Sequence, residues 1–164
     1  MFSSMQPLTA IDPDPDPAGA WFAEQVAATA AGGQVAMVER SAAAGAMPPL
    51  SRRAHAETYR VLEGEVLFFV GTDVVCASAG DVVVAPPGVA RTFRVASEVA
   101  RWLVLTQVRS LERFTDFGRA VTAAIPSPPD GWPSEDERAT VAAIGAANGI
   151  ELLGPPGALP GLTG

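Results

Sequence analysis

The chain has 164 residues, the span of one domain, and 48% of them are hydrophobic, too many for a disordered chain. Its formal net charge is −7, every one of its 11 basic residues is Arg, and no basic run occurs, which argues against nucleic acid as a partner. No apolar run approaches the ~20 residues of a membrane helix. No charged-then-apolar leader opens the sequence either, so a soluble cytoplasmic protein with no membrane partner is expected.

Residues 1–18 contain Asp12-Pro13-Asp14-Pro15-Asp16-Pro17, where Pro blocks regular hydrogen bonding and the carboxylates repel, so an extended arm is expected. Ala20–Ala31 has a helix-like Ala content. Gln34–Glu39 alternates and reads as a strand, and Ser41–Met47 reads as a small-residue loop. Short apolar runs then follow at close spacing: Thr58–Leu62, Val66–Val70, Val74–Ala77, Val82–Ala85, Thr92–Val95 and Trp102–Thr106. Glu63-Gly64 and Gly71-Thr72-Asp73 mark hairpin turns, and Ala79-Gly80-Asp81 and Pro86-Pro87-Gly88 break the later runs. Such spacing predicts an all-β sandwich or barrel without βαβ units. The lone cysteine, Cys76, cannot form an internal disulfide and is expected as a small core residue.

Leu111, Phe114 and Phe117 recur at helical spacing, which predicts a short helix over Leu111–Gly118 packed on the barrel. A Pro-rich linker, Ile125–Pro133, leads to Ser134-Glu135-Asp136-Glu137, the pattern of a capping box. The helix it starts should run through Val141 and Ile144 and stop at Asn148-Gly149. Ile150–Leu153 is apolar, Gly154-Pro155-Pro156 ends the fold, and residues 157–164 form a tail.

Two stretches organise the chain. The first is PPLSRRAHAETYRVLEG, from Pro48 to Gly64, and the second is GDVVVAPPGVARTF, from Gly80 to Phe93. Together they resemble the two motifs of the cupin barrel, His-x-His-x4-Glu and Gly-x5-Pro-x-Gly-x2-His. Gly80, Pro86 and Gly88 keep the frame of the second motif, and Glu57 stands at the Glu position of the first. The His positions hold Leu50, Arg52 and Arg91. Val35–Glu39, Leu111-Glu112-Arg113-Phe114 with Phe117-Gly118, and the ending from Ala147 to Pro156 resemble single-domain cupins similar to quercetin 2,3-dioxygenases.

The resemblance implies an all-β cupin jelly-roll barrel over residues 19–109, with a strand beginning near Trp21. It also implies a short helical C-terminal segment, 110–156, packed on the barrel, and a homodimer. Members of that group use Fe, Ni, Mn or Co to hold a flavonol for cleavage by dioxygen. A divalent ion needs lone pairs from His, Cys or carboxylate, which Leu and Arg lack. No metal is therefore expected, the residual option being a weak site on His55 and Glu57.

In the cupin register Leu50, Arg52, Glu57 and Arg91 face inward, which places two guanidiniums beside one carboxylate. Either these groups form a structural ion pair filling the former metal site, or a spare guanidinium takes an anionic or carbonyl-bearing ligand. His55, two residues before Glu57 on an extended chain, can reach the barrel mouth as a general acid or base, or can be a solvated loop residue. Tyr59 shares the parity of Glu57 and Phe93 that of Arg91, so both are candidate ligand-lining or core residues, while Arg53 and Arg60 are expected to face solvent. Three functions remain open. One is metal-independent binding, with or without conversion, of a small aromatic or carboxylate ligand, with His55 and Glu57 as catalytic candidates. The others are a quercetinase-like dioxygenase and a non-catalytic interaction protein.

Overall fold

The computed structural model describes residues 25–29, 35–125 and 132–161. The expected Asp/Pro arm, the ends of the Ala20–Ala31 segment, most of the Pro-rich linker and the end of the tail lie outside the described residues. Among the described residues the chain forms two five-stranded antiparallel sheets and two helices. One sheet contains β1 (Gln25–Thr29), β2 (Val35–Ala43), β4 (Glu57–Glu63), β7 (Val82–Ala85) and β9 (Val99–Gln107), in the order β1-β2-β9-β4-β7. The other contains β3 (Pro49–Arg53), β5 (Glu65–Val70), β6 (Asp73–Ser78), β8 (Arg91–Val95) and β10 (Ile150–Pro156), in the order β10-β3-β8-β5-β6. This is an all-β jelly roll: the spacing of the apolar runs predicts a sandwich or barrel, and the cupin resemblance implies the jelly roll.

The period-2 alternation of the strands decides which side chains face between the sheets. On β4, Glu57, Tyr59 and Val61 turn in, while Arg60 and Leu62 turn out. On β9, Ala100, Trp102 and Val104 turn in, and on β5, Val66, Phe68 and Val70. Tyr59 stacks on Phe68 at 4.8 Å between ring centroids, and Phe93 meets Trp102 edge-on at 4.9 Å. Side chains of this size stabilise the fold by roughly 1.5–3 kcal/mol each when fully buried. The β4–β5 turn needs Gly64: its φ is +77°, and a Cβ there would collide with Val99 O and Ser97 Oγ.

Helix α1 (Val108–Ala124) is longer than predicted, and α2 (Glu135–Ala147) begins at Ser134 as the capping box requires. The Ser134 amide donates to Glu137 Oε2 at 2.9 Å. Gly149 carries the positive φ, +69°, just after α2. Phe114, Phe117, Val121 and Ile125 from the α1 segment meet Val141 of α2 and Ile150 of β10 in a second core. Among the described residues no helix is long and apolar enough to cross a membrane.

Four local expectations change. Ser41–Ala43 continues β2, because Ser41 and Ala42 pair with Arg101 and Ala100. Pro49–Arg53 is a strand that its composition hides, since Pro is tolerated at a strand's first residue and Ser-Arg-Arg shows no apolar alternation. The C-terminal apolar run does not merely end the fold; it pairs with β3, Glu151 opposite Arg52. Cys76 is exposed, because β6 is an edge strand and its Cys76 face points out of the barrel.

Candidate functional site

Glu57 opens β4 and lies only 4% exposed at the end of the barrel where β3, β7 and β8 also terminate. Three groups hold its carboxylate. Arg53 Nη1 donates to Oε1, Tyr59 OH donates to Oε2 at 2.6 Å, and Arg91 Nη1 lies 3.6 Å from Oε2. Burial pushes the Glu57 pKa up, but the Arg53 guanidinium, the Tyr59 hydrogen bond, and Arg40 and Arg91 together hold it below its ordinary value. Glu57 is thus an ionised acceptor with both oxygens engaged. Tyr59 responds in the opposite direction: burial and the adjacent Glu57 charge push its phenol well above its usual value.

Arg91 is 4% exposed and spends its donors on the backbone. Nη2 reaches Pro86 O at 2.7 Å and His55 O at 3.3 Å, Nη1 reaches Ala85 O at 3.4 Å, and Nε reaches Val89 O at 3.3 Å. It therefore ties the β3–β4 and β7–β8 connections together beside Glu57. Helix α1 adds Phe114, whose ring is flanked by the Arg53 guanidinium carbon at 4.6 Å from its centroid and that of Arg40 at 5.4 Å.

The half-buried His55 sits in the bend between β3 and β4, and among the described residues its imidazole makes no hydrogen bond. Its pKa is lowered from 6.5: burial is the largest cause, Glu57 pulls the other way, and Arg53, Arg91 and Arg113 add to the lowering. The ring is neutral at pH 7 and has a lone pair to accept a proton.

Arg52 and Arg53 exchange the places expected for them. Ser51 is the register partner of Arg91, so Ser51 and Arg53 share its inward face. Leu50 is fully buried and Arg52 exposed on the opposite face, where Arg52 pairs with Glu151 at 2.9 Å. Counting inward positions backward from Glu57 fails because it crosses the bend at Ala54–Ala56, and alternation carries no parity across a turn. Tyr59 and Phe93 lie in the barrel core, and Arg60 faces solvent. The sequence reading missed Arg53, Arg40 and Phe114. Only the Arg53–Glu57 spacing offered a local signal.

A divalent cation does not suit this donor set. Guanidiniums surround the one carboxylate, Arg has no lone pair to give, and both Glu57 oxygens are engaged. Among the described residues there is no group of three or more His, Cys, Asp or Glu side chains.

A cavity of about 600 Å³ adjoins this cluster, outside the barrel, between the β3–β10 pair and α2. Arg53 belongs to both. Val141, Ile150 and Trp132 line it together with Arg138 and the Arg52–Glu151 ion pair.

Residues 38–106 match the cupin domain family, and the architecture is that of an all-β cupin jelly roll. No curated protein shows significant similarity to the chain. Among solved structures, a cupin 2 conserved barrel domain protein from Rhodopseudomonas palustris aligns at 20% identity and TM-score 0.48, over 51% of this chain and 59% of that one. The DMSP lyase DddQ from Ruegeria pomeroyi aligns at 26% identity and TM-score 0.43, over 46% of this chain and 39% of that one. The polyketide cyclase RemF from Streptomyces resistomycificus aligns at 16% identity and TM-score 0.43, over 48% and 57%.

Proposed function

We propose that this chain is a cytoplasmic, metal-independent cupin that binds a small aromatic carboxylate in the cavity between β3–β10 and α2. The observation that carries this reading is the lining of that cavity: apolar Trp132, Val141 and Ile150 beside Arg138 and Arg52, where a ligand carboxylate would compete with Glu151 for the Arg52 guanidinium. The barrel axis supports the reading less well as a ligand site, since Tyr59, Phe68, Phe93 and Trp102 pack against one another there. Arg91 and Glu57 then act as internal structure and not as ligand contacts. His55 is not among the residues that line this cavity, so the reading gives it no part in ligand binding.

The test is a titration with a panel of aryl carboxylates, read by calorimetry and by fluorescence quenching that disappears in Trp132→Phe. Arg138→Ala and Arg52→Ala should each weaken binding about tenfold, the loss of roughly one charge-assisted hydrogen bond. Unchanged affinity in both variants, or no binding by any member of the panel, refutes the reading. A quercetinase-like dioxygenase would instead take up dioxygen with a flavonol and lose that activity on chelation.

A further inference from the structure

We infer that the cavity between β3–β10 and α2 takes an elongated ligand with an acidic group at each end of a rigid aromatic middle, Arg138 and Arg52 receiving one end and Arg113 the other. The inference rests on the proposed function and narrows the class of ligand at that site. The cavity follows the length of α2. Arg138, Ala142 and Ala146, each four residues from the next, put one face of the helix against it, and Gly149 lines it just past the helix end. From Arg138 to Ala146 the helix rises about 12 Å. The chain reverses at Asn148-Gly149, and β10 folds back beside α2, since a Cβ on Gly145 would collide with Ile150 O. Ile150 is registered with Arg53 and Glu151 with Arg52, so Arg52 lies farther from the reversal than Arg53.

Each end of the cavity offers a cation. At one end stand Arg138, 4.0 Å from the exposed Glu135 carboxylate, and Arg52, paired with Glu151. At the reversal Arg53 is already engaged by Glu57. The further cation there is Arg113 of α1. Its Nη1 lies 3.8 Å from where a Cβ on Gly149 would stand, beside Ala54, and both Gly149 and Ala54 line the cavity. Arg113 is exposed, and among the described residues it makes no hydrogen bond or ion pair. Its charge reaches the β3–β4 bend, where it helps to lower the His55 pKa. A guanidinium so placed keeps its N–H donors for a planar acid group. Between the two ends the lining is apolar, with Val141 and Ile150, so a ligand that bridges them meets cations only at its termini. A monoacid held at Arg138 and Arg52 would leave Arg113 to water.

The experiment is calorimetry of the full chain with two probes, a biphenyl carrying a carboxylate at each para end and the same biphenyl carrying only one. The dicarboxylate should bind at least about tenfold tighter, the gain of one further charge-assisted hydrogen bond. Terephthalate, with a single ring between its carboxylates, is too short to span the cavity and should gain no such advantage over benzoate. Arg113→Gln should bring the two biphenyl affinities within about twofold of one another. The control Arg119→Gln, on the same helix but paired with Asp116 at 3.4 Å, should preserve the gap. A wild-type chain that binds both biphenyls equally overturns the inference and leaves the proposed function standing. A gap that survives in Arg113→Gln overturns it as well. If neither biphenyl binds while smaller aryl carboxylates do, the inference alone falls; if no aryl carboxylate binds, both fall. Should Arg113→Gln fail to fold, the wild-type probes still decide, because an equal gap for terephthalate over benzoate would be a response to charge without regard to length and would overturn the inference.

Discussion

At the residue scale the molecule turns on one buried carboxylate and the cations around it. Glu57 lies among Arg53, Arg91 and Arg40, and removing one partner of such a group leaves charge uncompensated in a poorly solvated place. Glu57→Gln should therefore cost about 3–5 kcal/mol in urea unfolding, well beyond the loss of a surface ion pair. The Glu57 and His55 pKa values are both lower in the folded state than in the unfolded one. Each contributes stability present above its unfolded value, about 4.3 for Glu and about 6.5 for His, and lost as pH falls through the folded value. The Tyr59 pKa is higher in the folded state, so its contribution is present below about 10 and lost as pH rises beyond. Thermal unfolding across pH should show a plateau between about 7 and 9 and decline on both sides. His55→Gln should shift the start of the acid decline to lower pH while leaving the alkaline limb intact; an unchanged acid limb would rule His55 out as a contributor.

At the element scale α1 is the part that joins the barrel to the C-terminal segment. Phe114 does this from one side chain, resting on the Arg40 and Arg53 guanidiniums and belonging to the second core with Val141 and Ile150. Phe114→Ala should cost about 3–5 kcal/mol, the usual range for deleting a buried aromatic ring. Hydrogen exchange should rise first in α1, α2 and β10 and later in β4, β5 and β9, because the barrel core around Trp102 and Phe68 is separate. Uniform acceleration across both cores would show that they unfold as one unit. Ser134→Ala is a smaller lesion, about 1 kcal/mol, since the capping box is exposed and local.

At the scale of the whole molecule, arginines from separate segments converge on the buried Glu57 carboxylate. Arg91 draws together carbonyls from two connections, and Arg53 and Tyr59 complete the shell of Glu57. The expected consequence is that chelation leaves the melting temperature unchanged. Incubation with Fe, Ni, Mn or Co should likewise yield no stoichiometric metal by plasma mass spectrometry. A metal-dependent rise in melting temperature would instead mean that His55 and Glu57 rearrange to ligate, and would return the dioxygenase reading.

The legible parts of this chain were those governed by neighbours in sequence. Alternation in Thr58–Leu62 and Val66–Val70 reported strands, Gly64 and Gly80 reported turns, and Ser134 with Glu137 reported a helix start, because each depends on contacts a few residues long. The all-β class followed from such local patterns, whereas the jelly roll and the inward Glu57 were expected only from the cupin resemblance. Three things did not: the inward turn of Arg53 and outward turn of Arg52, the strand pairing of Ile150–Pro156 with β3, and the cavity lined by Arg138 and Trp132. Each is decided by segments far apart in the chain. Parity is lost at the Ala54–Ala56 bend, so it is the register of Ser51 against Arg91 that aims β3. A cavity, likewise, is the space left between β3, β10 and α2 once they dock, and no one of those segments encodes it alone.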